Sequence, residues 1–265
     1  MYKHYWAMGQ SGKEGYQLNN SKEQVFFKKN YEYYAESKSH ELGNDLSLLV
    51  DHLPRNGAYT ALDIAAGTGF TSFRLSSIYR TVVALDTTIE MLEKAREMAL
   101  KKNLNNVIFV IGKAEKIPFL DHTFDVVTCR RAAHHFPDKR AFLSEARRVL
   151  RPGGYLGFAD MILPKLDTDA SFNTLERIRD PTHVSAETQG FWEESLSEAG
   201  FKISYMQTLP ERIGFEEWLS PVKADEDNGI KCKAFIESSD SLKKAISYDS
   251  GTFIKTRLVL TAISS

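Results

Sequence analysis

Residues Ala61 to Phe70 read A-L-D-I-A-A-G-T-G-F, and a second apolar run, Thr81 to Leu85, closes on Asp86. A short apolar strand with a glycine turn at its carboxyl end, then a helix, then a second strand ending in an acid is half of a nucleotide-binding α/β fold. The glycines let the backbone approach a ligand with no Cβ in the way, and the acid is placed to accept two ribose hydroxyls. The pattern predicts a site for an adenosine-containing cofactor and leaves open which one.

The rest of the chain extends the alternation. Apolar runs predict strands at about 60–65, 81–86, 107–111, 124–129 and 155–162, with helices at about 70–79, 88–102, 138–150 and 188–199. Such alternation predicts a mostly parallel sheet with helices on both faces. Thr87 followed by Glu90 reads as a capping box for the second of these helices. R-P-G-G after Leu150 stops the third.

Upstream, residues 1 to about 22 form a polar arm dotted with Gly9, Gly12 and Gly15. Two helices are predicted near Glu23–Ser37 and Glu41–Leu53. The second would carry Leu42, Leu46, Leu49, Val50 and Leu53 on one face and stop at Pro54, Asn56 and Gly57. The alternation breaks at Pro164–Ser185 and again at Pro210–Gly251, between strands at about 202–207 and 252–263. These breaks divide the chain into an arm with cap helices, residues 1–55, and a main domain, residues 56–265, with insertions at about 164–185 and 210–251. Cap helices and insertions together would wall a pocket at the carboxyl ends of the strands.

Bulk properties remove several classes of partner. A formal net charge of −1 gives no electrostatic case for nucleic acid or an anionic membrane. No run approaches the roughly 20 apolar residues that span a bilayer, and the N-terminus has no signal core. Cys129 and Cys232 stand far apart and suit a reducing cytoplasm. The seven histidines are scattered, and the adjacent pair His134-His135 has no further ligands at metal spacing, so no metal site is expected.

The choice of cofactor turns on two residues. A dinucleotide site needs G-x-G-x-x-G, whereas Gly67-Thr-Gly69-Phe-Thr-Ser72 has serine in the third glycine position. Asp63 would repel a pyrophosphate but suits an ammonium group. Adenosine joined to an α-amino acid is S-adenosylmethionine. An NAD(P)-dependent oxidoreductase is the competing reading of the same half-fold, and a non-catalytic S-adenosylmethionine binder is a second.

Five blocks carry a family resemblance. Asp63-Ile-Ala65-Ala-Gly67-Thr-Gly69 resembles the D-x-[GA]-x-G-x-G motif of class I S-adenosylmethionine-dependent methyltransferases, and Asp86-Thr-Thr-Ile-Glu-Met91-Leu92 resembles their D-x-S-x-x-M-L segment. Gly112-Lys-Ala114-Glu115-Lys-Ile117-Pro118-Phe119 is similar to G-D-A-E-x-L-P-F. Phe124 to Cys129 and Arg148 to Gly154 match the fourth strand and the turn before the fifth. Within the family the look is that of the ubiquinone/menaquinone-biosynthesis-type and related bacterial small-molecule methyltransferases. The resemblance implies a Rossmann-like, seven-stranded mixed sheet whose last strand, at about 252–263, is antiparallel, with N-terminal helices and a lid insertion.

It also implies roles. Asp63 and the backbone from Ala65 through Gly67 to Gly69 would hold the methionine part, with Arg130 in the same cofactor set. Asp86 would take the ribose hydroxyls, Thr87 and Met91 the adenine side, and Ala114 and Glu115 the adenine edge. Lys113 departs from the family, which commonly has Asp there to accept from the adenine amino group; lysine has no acceptor. Asp86 could also serve as a helix cap.

The fourth strand ends in Cys129-Arg130-Arg131-Ala132-Ala133-His134-His135-Phe136, the strand end facing the transferred methyl, and resembles C-R-x-A-x-H-H-F of a bacterial subgroup. It lacks the [DN]-P-P-[YF] of enzymes that methylate nucleobase amines. His134 or His135 would supply a base where the acceptor is a hydroxyl or an acidic C–H, because imidazole titrates near neutrality. Core stacking and helix capping are the competing uses. Arg177-Ile-Arg179-Asp180-Pro181-Thr182-His183-Val184 resembles R-D-P-S-H-V of the same subgroup, and Ser39-His40 a similar S-H. These make His40, Arg179, Asp180 and His183 substrate-binding candidates, against a salt-bridged loop that pins a lid. The predicted activity is methyl transfer from S-adenosylmethionine to a small-molecule oxygen or activated carbon, leaving S-adenosylhomocysteine.

Overall fold

Strands that are apolar throughout must be covered on both faces, and that requirement organises this molecule. A computed structural model describes residues 21–55, 59–220 and 226–265. The glycine-dotted arm and the Asn56-Gly57 stop lie outside the described residues. The strands are β1 (Thr60–Ile64), β2 (Thr81–Asp86), β3 (Val107–Ile111), β4 (Phe124–Arg130), β5 (Leu150–Met161), β6 (Phe201–Gly214) and β7 (Thr252–Ser264). They form one sheet in the order β3-β2-β1-β4-β5-β7-β6. The pairs from β3 to β5 are parallel, while β7 runs antiparallel between β5 and β6. This is the expected seven-stranded mixed sheet with a reversed last strand.

The helices are α1 (Lys22–Glu36), α2 (Lys38–Leu42), α3 (Asn44–Asp51), α4 (Phe70–Ser76), α5 (Ile89–Lys101), α6 (Lys139–Val149), α7 (Ser171–Arg179), α8 (Gln189–Glu198), α9 (Phe215–Leu219), α10 (Glu226–Ser238) and α11 (Asp240–Ala245). Side-chain alternation in the strands splits the core between two faces. Leu62, Ile64, Val127 and Cys129 pack with Phe142 and Leu143 of α6 and Trp192 and Leu196 of α8. Ala61, Val82 and Val126 pack with Leu46 and Val50 of α3 and Leu75 of α4. The insertions build an apolar core of their own, in which Phe172 and Leu175 of α7 meet Trp218, Cys232, Ile236 and Phe253. Among the described residues no helix is long and apolar enough to cross a membrane.

Three local expectations are corrected. The helix predicted over residues 41–53 is broken at Gly43 into α2 and α3, and Leu42 is 73% exposed. A Cβ on Gly43 would fall 2.5 Å from both Asp45 Oδ1 and Arg131 Nη2, so close packing of that ion pair needs the glycine. The capping box at Thr87 does not form; Thr88 precedes α5, and Asp86 Oδ1 accepts the Thr88 N–H at 2.8 Å. The strand predicted over 202–207 continues through Pro210 to Gly214, because β6 is an edge strand and an edge tolerates a residue without a donor.

Candidate active site

Strand order reverses between β1 and β4, and the carboxyl ends of the strands open there into a cavity of about 1220 Å³. Helix α1 and residues 37–40 cover one side, and the insertions with the start of β7 close the other. Ala65, Gly67, Asp86, Thr87, Met91, Ala114, Glu115, Arg130, His134, His135, His40, Arg179 and Asp180 line it. Asp63, Gly69 and His183 do not.

At one end, the turn after β1 carries Ala65, Gly67 and Gly69 at φ of 53°, 54° and 91°. A Cβ on Gly67 would project into open space, whereas one on Gly69 would fall 2.7 Å from the Phe73 ring. The first glycine therefore keeps the cavity wall thin, and the second lets α4 start close to the sheet. Gly67 donates its N–H to Asp86 Oδ2 at 2.8 Å. With Thr88 on Oδ1, the acid of β2 grips the turn of β1 and caps its own helix while still bordering the cavity. Burial raises its carboxyl above the usual range. Helix α1 straps this end down through Gln24 Nε2 to Thr87 O at 2.9 Å.

Asp63 is a correction. It is the penultimate residue of β1, so alternation turns it away from the cavity and toward α4. Oδ2 accepts from Ser72 Oγ at 2.7 Å and Oδ1 from Thr128 Oγ1 at 2.8 Å. Burial pushes the carboxyl up to about 6. Ser72, in the place of the third glycine, thus spends its hydroxyl tying α4 to β1. Lys113 is exposed at the rim, and beside it Glu115 Oε1 is buried with no hydrogen-bond partner among the described residues.

At the end of β4, two guanidiniums fork onto one buried carboxylate from α3. Arg130 donates from Nε and Nη2 to Asp45 at 2.7 and 3.0 Å, and from Nη1 to His40 O at 2.9 Å. Arg131 donates from Nε and Nη2 to the same carboxylate at 2.8 and 2.7 Å. Burial opposes charge on Asp45, but the two arginines win and hold it far below the usual carboxylate range.

The chain then makes a tight turn over Ala133–His135. His134 Nδ1 lies 2.7 Å from Asp160 Oδ1 at the end of β5, and its backbone N–H donates to Oδ2 at 2.9 Å. Burial alone would raise Asp160; His134 and the Met161 N–H outweigh it and hold the carboxyl down. A carboxylate only accepts, so a neutral imidazole here would turn its Nδ1 proton to Asp160 and leave the lone pair on Nε2. His135 Nδ1 faces Thr182 O at 3.1 Å, and its ring meets Phe27 edge-on. Burial and then His134 push His135 down to about 4.

The lid segment behaves mainly as the salt-bridged loop. Asp180 Oδ1 accepts from Thr182 N and Oγ1 at 2.9 and 2.6 Å, and the N–H groups of Val184 and Ser185 both donate to His134 O. Arg179 donates to Trp218 O and to Glu176, and its guanidinium sits 5.0 Å over the Trp218 ring. His183 is a second correction: it is buried outside the cavity, bonded through Nε2 to Asn173 Oδ1 at 2.8 Å. His40 Nδ1 pairs with Ser37 Oγ at 2.8 Å, and burial followed by Arg131 and Arg130 pushes its imidazole well down.

Sequence reasoning missed Asp160, Lys255 and Arg257, all of which line the cavity. Asp160 carries the same signal as Asp86, an acid where a parallel strand ends. Lys255 and Arg257 alternate within an otherwise uncharged strand.

Known proteins share this fold. Residues 62–158 match the family described as the methyltransferase domain. The chain is 35% identical over 194 residues to the uncharacterized methyltransferase YcgJ of Bacillus subtilis (strain 168), covering 73% of this chain and 77% of that one. It is also 35% identical over 168 residues to the ubiquinone/menaquinone biosynthesis C-methyltransferase UbiE of Brucella canis, spanning 60% of this chain and 62% of that protein. The crystal structure of BH2331 from Bacillus halodurans C-125, a protein assigned to the methyltransferases, superposes with a TM-score of 0.79 at 31% identity, covering 84% of this chain and 99% of that one. The oxidoreductase reading is thereby set aside, and the chain belongs to the class I methyltransferases.

Proposed function

We propose that the enzyme moves a methyl group from S-adenosylmethionine to an oxygen or activated carbon of a small molecule and releases S-adenosylhomocysteine. The observation that carries this reading is one cavity of about 1220 Å³ joining the Gly67–Asp86 turn to the His134–Asp160 pair. Sites for one drug-sized ligand occupy roughly 300–1,000 Å³, so this one has room for donor and acceptor together. Its enclosure by cap helices and insertions favours a small acceptor over a protein or RNA.

The residues present fit the donor. Asp86 would accept from the ribose hydroxyls, since a carboxylate has about four acceptor positions and the turn occupies two. Gly67 would allow close approach, with Ala65, Thr87 and Met91 as walls. Glu115 Oε1, buried and unpartnered, would accept from the adenine amino group, which answers the missing acceptor at Lys113. Ala114 would lie along the adenine edge. Arg130 would offer its remaining N–H groups to the methionine carboxylate. Asp63 would act only through Ser72 and Thr128, by holding the turn.

When bound, the donor supplies a methyl on a cationic sulfur that departs as a neutral thioether. The protein's own task is then alignment, which can be worth about 7–11 kcal/mol of the barrier. His134 is the base: Asp160 fixes its tautomer, Nε2 takes the acceptor's proton, and the carboxylate stabilises the imidazolium that results. His135, pushed down to about 4, stays neutral and packs. Two buried free thiols support a cytoplasmic setting.

The test is heat stability with and without S-adenosylhomocysteine, followed by transfer of labelled methyl groups. Saturation at a hundred times Kd should add about 2.7 kcal/mol of stability. No stabilisation would sink the donor assignment, and donor binding without turnover on any acceptor would favour a non-catalytic binder.

A further inference from the structure

Because β7 runs antiparallel to β5, its first residues lie where β4 and β5 end, at the mouth of the site. Lys255 and Arg257, two apart on one face of β7, both line the cavity, with side chains 7% and 10% exposed. They stand two strands beyond β4, on the far side of the His134–Asp160 pair from the Gly67–Asp86 turn.

The cations on this wall are thinly neutralised. Among the described residues, Glu176 is the one carboxylate paired with Lys255, at 2.7 Å, and Arg179, at 3.2 Å. Among the same residues, Asp45 is the one carboxylate paired with Arg130 and Arg131. Each buried trio therefore holds two cations on one carboxylate. Arg257 stands between the trios, and its partner Glu211 is about half exposed, where water screens it. Burial first, then Arg179 and Arg257, push Lys255 down to about 8 despite Glu176, and burial with Arg257 and Arg130 brings Arg131 to about 10. Of the further carboxylates lining the cavity here, Asp180 spends Oδ1 on Thr182, Asp160 is held by His134 and the Met161 N–H, and Glu217 is exposed to solvent.

Donors are left over as well as charge. The Lys255 ammonium has three N–H groups and gives one to Glu176; the Arg257 guanidinium has five and bonds Glu211 through Nη1. Buried cations without matching acids are costly unless an anion arrives to pair with them.

We propose that Lys255 and Arg257 bind a carboxylate on the methyl acceptor, so that the enzyme acts on small organic acids. This rests on the methyl-transfer reading of the same cavity and names its substrate class. Arg130, next to the glycine turn, stays with the donor, and the β7 pair orients the acceptor across the base.

The probes are benzoate and benzamide, matched in shape and differing in charge, titrated calorimetrically into the full chain saturated with S-adenosylhomocysteine. Benzoate should bind about ten- to a hundredfold more tightly. In Arg257→Gln, where the orphaned acid is solvated Glu211, that preference should shrink toward unity with the affinity for S-adenosylhomocysteine unchanged. Lys255→Met leaves Glu176 paired with Arg179 and bonded by Trp218 Nε1, and should shrink it also. Equal affinity for the two probes, no benzoate binding, or a preference that survives both variants would overturn the assignment. A failure of S-adenosylhomocysteine to bind would instead sink the donor reading, and benzoate against benzamide on the protein alone would still decide the anion site.

Discussion

His134 Nδ1 and Asp160 Oδ1 lie 2.7 Å apart across the ends of two adjacent parallel strands. The carboxylate also accepts the backbone N–H groups of His134 and Met161, at 2.9 and 2.7 Å. An acid held by two main-chain donors cannot swing away, so it dictates which imidazole nitrogen carries the proton.

Asp160→Asn should therefore disable His134 without emptying the site. The amide is neutral and no longer stabilises the imidazolium that forms, and its NH2 replaces an oxygen that accepts a main-chain N–H, either that of His134 or that of Met161, so the hold that aims the imidazole is weakened. Positioned bases contribute about 10²–10⁴ in rate, and kcat should fall by that order. The affinity for S-adenosylhomocysteine, measured by calorimetry, should stay within about threefold. An unchanged kcat would remove His134 as base.

Asp86→Ala should weaken donor binding on two counts. It deletes the acceptor proposed for the ribose hydroxyls, and it frees the Gly67 N–H that holds the turn. Hydrogen bonds to a charged group are worth about 1.5–3 kcal/mol, so Kd for S-adenosylhomocysteine should rise about ten- to a hundredfold. Calorimetric titration decides it, and an unaltered Kd would refute the ribose assignment.

Legibility in the sequence followed the locality of the signal. The β1 turn and Asp86 were readable because close-approach glycines and a strand-end acid act within a few residues. Asp63 misled because it sits one residue short of the strand end, and that single step turns a carboxylate from the cavity to α4. Asp45 gave no signal at all: its partners, Arg130 and Arg131, are 85 and 86 residues away. Lys255 and Arg257 reach the site only because β7 inserts between β5 and β6, an order of strands that no short window encodes. His134 and Asp160 were halfway between. Each strand end was recognisable, and their pairing depends on β4 and β5 being neighbours.

The two turn glycines should separate ligand binding from folding. Gly67→Ala places a methyl in open cavity at a φ of 54°, so its stability cost should be about 1 kcal/mol of backbone strain while affinity for S-adenosylhomocysteine drops sharply. Gly69→Ala combines a φ of 91° with a clash against Phe73 and should cost about 2–4 kcal/mol. Urea unfolding of the free proteins and calorimetry on the folded ones measure the two effects independently. A Gly67→Ala protein that bound the ligand normally would show that the open space is not the donor's.

Acid should destabilise the fold through histidines that are buried neutral. His135 titrates near 4 in the folded state, pushed down by burial and by His134, and near 6.5 when unfolded. Between those values the unfolded chain binds the extra proton, so this group's contribution to stability falls as pH falls from about 6.5 and is fully lost by about 4. His40 and His183, also lowered, act in the same direction. Asp63 and Asp86 oppose them, because their raised carboxyls take up protons in the folded state first. The net slope mixes these groups, but a comparison with His135→Phe isolates one. Over pH 6.5 to 5 the wild type should lose stability faster than the variant by about 1 kcal/mol per pH unit, near the limit of 1.4 for a single proton. Urea midpoints at half-unit pH steps provide the measurement. Parallel lines for the two proteins would mean that His135 is not held neutral by its burial against Phe27 and His134.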